Sequence, residues 1–240
     1  LNLTPPTTFN NLLIEDFGQG VNTTSPGINA AFCWENQVPP STCGNGIQIN
    51  EQDYVVTRRI QPIPNVWNDA RDHTSNGTNV NGRFLCVNLG SPSTGRILYS
   101  RTINSIIPNV NVQVSLWTMT LLQLGNTGQE PNLTVELVRD LGLATETIVS
   151  TMSTGNIPKT INVWSNYIMS LNPGNNSTLS FVIKSYSAIP ANEGVGVVVD
   201  DIYLYQTPLV CSNTVVYPIS IDCSQAFAAQ ITSVTNPSCN

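Results

Sequence analysis

The sequence predicts an all-β protein, a two-sheet antiparallel jelly-roll sandwich with long polar loops. Three observations carry that prediction. Apolar residues recur at every second position over much of the chain. The stretches between are crowded with Asn, Gly, Pro, Ser and Thr. No long window holds a 3.6-residue apolar repeat. Many short strands joined by turn-rich loops make a sandwich or jelly roll rather than a layered α/β fold.

The elements follow in order. Leu12-Leu13-Ile14 is an apolar run that ends in the acidic pair Glu15-Asp16. Residues 46–59 alternate through Ile47, Ile49, Tyr54 and Val56, and Phe84-Leu85-Cys86-Val87-Asn88 reads as a strand. Residues 96–103 and 160–171 also read as strands, as do Leu133 to Leu137 and Leu179 to Lys184. Residues 110–122 change face midway. Val112, Val114 and Leu116 lie on one side and Trp117, Met119 and Leu121 on the other, which predicts a bulge or twist near Leu116. The last strand runs through Val197-Val198-Val199-Asp200-Asp201-Ile202 and closes at Tyr203-Leu204-Tyr205-Gln206. Thr207-Pro208 breaks it, and the chain beyond turns rich in Cys, Ser and Thr. The expected organisation is a jelly-roll domain over 1–208, then a cysteine-containing extension or the start of a following module over 209–240.

Composition narrows the function. The chain has 240 residues, with 15 Asp and Glu against 9 Lys and Arg, for a net charge of −6. Only 10% of residues are charged, against roughly 25% in ordinary domains. So acidic a chain is a poor partner for a phosphate backbone, which argues against nucleic acid. No stretch approaches the roughly 18 apolar residues of a membrane span. Low charge in a chain with a 40% hydrophobic share points outside the cytoplasm. The six cysteines include no C-x-x-C pair, so zinc-site spacing is missing. The close pairs Cys33/Cys43 and Cys211/Cys223 suit local loop closure in an oxidising compartment, while Cys86, inside a strand pattern, is open between a buried free thiol and a paired one.

Chemistry has few places to sit. Glu15-Asp16 and Asp200-Asp201 are the strongest carboxylate pairs, with Asp69 and Asp72 between them. In a regular strand Asp200 shares a face with Ile202 and Leu204. If that face is the core, the carboxylate needs a partner, and Ca²⁺ or a strand-end hydrogen bond would serve. His73 is the only histidine, and no G-x-S-x-G elbow accompanies it, so its expected role is a local hydrogen bond. Of the four tryptophans, Trp117 and Trp164 fall in strand patterns and are expected in the core. Trp34 and Trp67 lie in or beside loops and are the candidates for stacking on a sugar.

Several motifs resemble a known family. Leu13-Ile14-Glu15-Asp16-Phe17-Gly18, Phe32-Cys33-Trp34, Asp72-His73-Thr74 and Gly82-Arg83-Phe84-Leu85-Cys86-Val87-Asn88 are together similar to the MAM-type jelly roll. Val199-Asp200-Asp201-Ile202 resembles the last strand of related carbohydrate-binding-module jelly rolls. The segments around Gly95 to Ile103, Glu130 to Thr134 and Leu171 to Asn176 resemble domains of very large Bacteroidetes surface adhesins, exported by the type IX system and in part serving gliding motility. The closing Ser233 to Asn240 resembles the opening of a repeat in such adhesins, so the resemblance implies a longer multi-repeat chain. It also implies a structural Ca²⁺ held by Asp16, Asp72 and Asp200, with Glu15 and Asp201 as substitutes. The function it implies is a non-catalytic, calcium-stabilised adhesion domain at the bacterial cell surface, recognising a glycan or surface protein. The alternatives are a carbohydrate-binding module of a secreted glycan-degrading enzyme and a purely structural spacer.

Overall fold

The computed structural model describes residues 9–18, 33–34, 49, 51–74, 82–90, 94–186 and 195–207. Backbone contacts divide the chain into Thr7–Pro208 and a second unit of Leu1–Pro6 with Leu209–Asn240, and the described residues all lie in the first. The paired cysteines expected to form disulfides lie outside the described residues, apart from the backbone of Cys33. Among the described residues no helix is long and apolar enough to cross a membrane.

The elements are β1 (Asn10–Glu15), β2 (Cys33–Trp34), β3 (Asp53–Thr57), β4 (Arg59–Ile60), β5 (Ala70–Arg71), β6 (Phe84–Leu89), β7 (Ile97–Ile103), β8 (Val112–Thr120), β9 (Asn132–Arg139), β10 (Thr147–Asn156), β11 (Ser165–Leu171), β12 (Leu179–Ser185) and β13 (Val195–Gln206). The last eight make the sandwich. One sheet holds β11-β8-β13-β6 and the other β10-β9-β12-β7, so the chain crosses between sheets at nearly every connection. This is the jelly-roll order expected from the sequence. The larger sheet continues past β6 through β3 to β2, which runs parallel to β3, while β1 pairs with the end of β13.

Alternation explains the burial. Val112, Val114 and Leu116 of β8, Leu133, Val135 and Leu137 of β9, Phe181 and Ile183 of β12 and Val197 and Val199 of β13 fill the space between the sheets. The larger sheet is covered on part of its outer face as well. Val55, Phe84, Cys86, Met119 and Val198 pack there under Ile60, Ala70 and Trp67 from the hairpin of β4 and β5. Arg59 clamps that hairpin by a two-pronged ion pair to Asp69 at 2.8 and 3.2 Å. Asn68 Nδ2 ties it down by donating to the carbonyls of Leu122 and Thr160.

Two expectations change here. Trp67, expected at the surface, is buried at 3% exposure, because a segment that looks like a loop folds as a lid over the sheet. No irregularity interrupts β8 at Leu116, since its pairing with β11 is continuous from Val112 to Thr118. Its apolar residues change face because each set meets a different core, Val112, Val114 and Leu116 the inner one and Met119 with the following Leu121 the outer. The bulge lies across from it, on β13.

Phe181→Ala should cost about 3–5 kcal/mol of unfolding free energy, because the ring is fully buried between the sheets. Ile168→Ala, at a side chain 73% exposed on β11, should stay within about 0.5 kcal/mol. Urea unfolding of the two variants checks both.

Candidate functional site

The bulge on β13 organises the site. Asp200 pairs with Trp117 and Tyr203 with Ser115, so β13 fits one residue more than β8 into the interval. Asp201 is that residue, with a φ of 45°. Left-handed backbone is unfavourable for a side chain with a Cβ, and Asp tolerates it better than most. The extra residue inverts the alternation. Ile202 and Leu204 therefore face the inner core along with Val197 and Val199. Asp200 instead shares the outer face with Trp117, which overturns its expected alignment with Ile202 and Leu204.

Asp200 is nonetheless fully buried, beneath the turn that carries Asp72, His73 and Thr74. The backbone N–H groups of His73 and Asp201 each donate to its carboxylate at 2.9 Å. The Asp201 carboxylate is held from the other side, by the Thr74 hydroxyl and by His73 Nδ1, both at 2.7 Å. A carboxylate only accepts, so Nδ1 carries the proton. The bond of His73 is thus not local: its partner lies 128 positions away. Its ring lies nearly parallel to Trp117 at 3.9 Å and edgewise to Trp164 at 5.7 Å. Trp117 and Trp164, expected in the core, are both half-buried. Asp72 is buried beside this group, and its carboxylate lies against Gly82, where any side chain would overlap it. Burial pushes the Asp200 carboxyl up to about 8; the N–H of His73 opposes the shift, and the negative charges of Asp201 and Asp72 add to it.

The structure brings together three of the five acids proposed as calcium ligands: Asp72, Asp200 and Asp201. The other two tie the end of β1. Glu15 accepts the Phe17 N–H and the Tyr99 hydroxyl, both at 3.0 Å, and lies 3.5 Å from Arg101. Asp16 is exposed and caps the Gly18 N–H at 2.9 Å. Carboxylate oxygens such as those of Asp72 and Asp200 are the donor type that hard cations take. Among the described residues no group of three or more His, Cys, Asp or Glu side chains is spaced as a metal cluster. The side chain of Trp34 lies outside the described residues.

Sequence reasoning missed a second feature, the open half of the outer face. Beyond the hairpin lid, register aligns Ile14, Tyr203, Ser115 and Ile168 across four strands, and Asn11, Tyr205, Gln113 and Ser170 in the next row. Tyr203 and Tyr205 are half-buried and stack at 5.0 Å with 25° between their planes. Phe9 meets Tyr205 edgewise at 5.2 Å. The polar groups of this face are already oriented. Tyr203 donates to Asn11 at 2.6 Å, Gln113 to Ser170 at 3.1 Å and Ser115 to Asn166 at 3.0 Å. The signal was present in the period of two: once Leu204 is inward, both flanking tyrosines point out.

No family model matches the chain, and no curated protein does. Among solved structures it is similar to the CBM22-1 xylan-binding domain from Paenibacillus barcinonensis Xyn10C, at 13% identity and a TM-score of 0.42, covering 86% of this chain and 100% of that one. It is also similar to a Stig cyclase, Fisc, from Fischerella sp. TAU, at 14% identity and a TM-score of 0.49, covering 84% and 99%. These likenesses are loose, and the fold stands on the strand order and registers above.

The raised Asp200 carboxyl makes stability depend on pH. The folded state holds this proton from its ordinary value of 3.8 up to about 8, while the unfolded chain has released it. Unfolding free energy should therefore fall as pH climbs through that window. With chelator present, the melting temperature of the native protein should drop over the window by more than that of Asp200→Asn; parallel curves would contradict the assignment.

Proposed function

We propose that this domain is a non-catalytic carbohydrate-binding module, and that the open half of the outer face of its larger sheet is the binding surface. The stacked pair of Tyr203 and Tyr205, bordered by amides and hydroxyls, carries the reading. Aromatic rings offer an apolar face to the C–H side of a sugar, and fixed amides and hydroxyls exchange hydrogen bonds with its hydroxyl groups. The partners named above hold those polar groups in place before the ligand arrives, which lowers the entropy cost of binding. The His73 cluster lacks the geometry of a nucleophile relay. The Thr74 hydroxyl bonds Asp201 rather than the His73 ring, so nucleophile and base are not in line.

A structural Ca²⁺ belongs to the same proposal, held by Asp72 and Asp200. When bound it would take the place of the Asp200 proton and tie the turn at 72–74 to β13. The low charge and the family resemblance support extracellular display, where attachment to a glycan surface would be the outcome of binding.

Affinity electrophoresis in gels containing soluble xylan, β-glucan or mannan should retard the protein in at least one of them. Tyr203→Ala and Tyr205→Ala should each weaken that retardation about ten-fold, as the loss of one stacking contact predicts, with the β-sheet circular dichroism spectrum retained. No retardation in any gel would end the glycan reading. Separately, chelation should lower the melting temperature by several degrees and added Ca²⁺ should restore it. Identical melting curves with and without chelator would end the calcium reading alone.

A further inference from the structure

The aromatic residues of the open face are not scattered over it; they follow one direction. Phe9 meets Tyr205, and Tyr205 stacks on Tyr203. Past the bulge comes Trp117, with the His73 ring stacked on it, and there the line meets the covered half, where Trp164 packs edgewise on Phe84. Tyr205 pairs with Gln113 and Asp200 pairs with Trp117. From Tyr205 to Trp117 the aromatic line therefore covers four residue steps of β8, about 13 Å along the strand, and Phe9 extends it at the Tyr205 end. The row across the strands has a different character. It runs from Ile14 through Tyr203 and Ser115 to Ile168, and its outer members are aliphatic side chains 69% and 73% exposed. Sugar rings stack on aromatic faces and gain little from the branched ends of isoleucine.

We infer that the ligand is a linear, uncharged glycan laid lengthwise along β13 and β8, touching several aromatic residues in turn rather than a single chain end. This rests on the glycan reading and adds length, direction and charge class to it. The polar side chains along the line are Asn11, Gln113, Ser115, Asn166 and Ser170, all neutral amides or hydroxyls. The carboxylate next to the line is that of Asp201, fixed by His73 and Thr74 beside Trp117. Its charge favours a hydroxyl-rich neutral chain and disfavours one that carries carboxylates or sulfates. A glycan along this line would leave the Ile14 and Ile168 flanks uncovered.

Titration calorimetry with β-1,4-linked xylose and glucose oligomers, from monosaccharide to hexasaccharide, tests this. Affinity for at least one series should tighten about two- to ten-fold per added residue until the line is filled, then level off. Trp117→Ala and Tyr205→Ala, at opposite ends, should each cost the hexasaccharide about ten-fold and bring the plateau to shorter chains. If Trp117→Ala does not fold, Asn166→Ala, at the position paired with Trp117, with Tyr205→Ala carries the same comparison. Carboxymethylated oligomers should bind more weakly than unmodified ones, and Asp201→Asn should narrow that gap. Equal affinity at every length, or preference for the anionic oligomers, would overturn the inference and leave the glycan reading intact. Polysaccharide retardation in gels without any oligomer binding would also overturn it. Silence in both assays would overturn both.

Discussion

One inserted residue governs the layout of this domain. Asp201 sits on β13 where β8 has no counterpart, and its left-handed backbone turns the strand over. Before it, Val197 and Val199 face the inner core; after it, Ile202 and Leu204 do. The inversion puts Tyr203 and Tyr205 on the outside and leaves Asp200 beneath the turn that carries His73. Such a conformation persists only where its surroundings fix it. Here the fixing comes from His73 and Thr74, which grip the Asp201 carboxylate at 2.7 Å each. A turn far away in sequence thereby holds a strand in a register that its own preferences would not select.

The lid formed by β4 and β5 defines where the open face begins. It seals the outer core over β3, β6 and the adjoining parts of β8 and β13. The sheet beyond it, toward β1 and β11, stays accessible. A jelly roll usually keeps its outer faces polar. This one divides a single outer face into a covered apolar half and an open half of aromatic and amide side chains, with the His73 cluster along the border between them. Any ligand on the open half therefore meets a rigid floor, since both the sheet and its lid are packed.

Much of this was legible in the amino-acid order. Strands such as β9 and β12 alternate cleanly because one face meets the inner core, and the jelly-roll class followed from them. β10 was not legible: Thr147 to Asn156 form an edge strand whose side chains are mostly exposed, so no apolar period marks it. The face of Asp200 was misjudged because alternation counted along β13 cannot reveal an extra residue that only its partner exposes. The apolar switch within β8 was real, yet its cause was a second core rather than a bent strand. Trp67 looked exposed because a two-residue β-hairpin arm leaves almost no pattern of its own. The gathering of Asp72, Asp200 and Asp201 was within reach of the motif resemblance, whereas Glu15 and Asp16 were drawn to partners next to β1.

The central claim is that the tyrosine-bearing outer face, and no other surface, meets the glycan. Backbone amide shifts recorded by NMR during titration with the polysaccharide that binds most tightly test it directly. The account predicts shifts at Tyr203, Tyr205, Gln113, Ser115 and Asn166, with β9 and β12 of the opposite sheet unmoved. Shifts confined to the four-stranded sheet, with the amides of Tyr203 and Tyr205 silent at saturation, would contradict it.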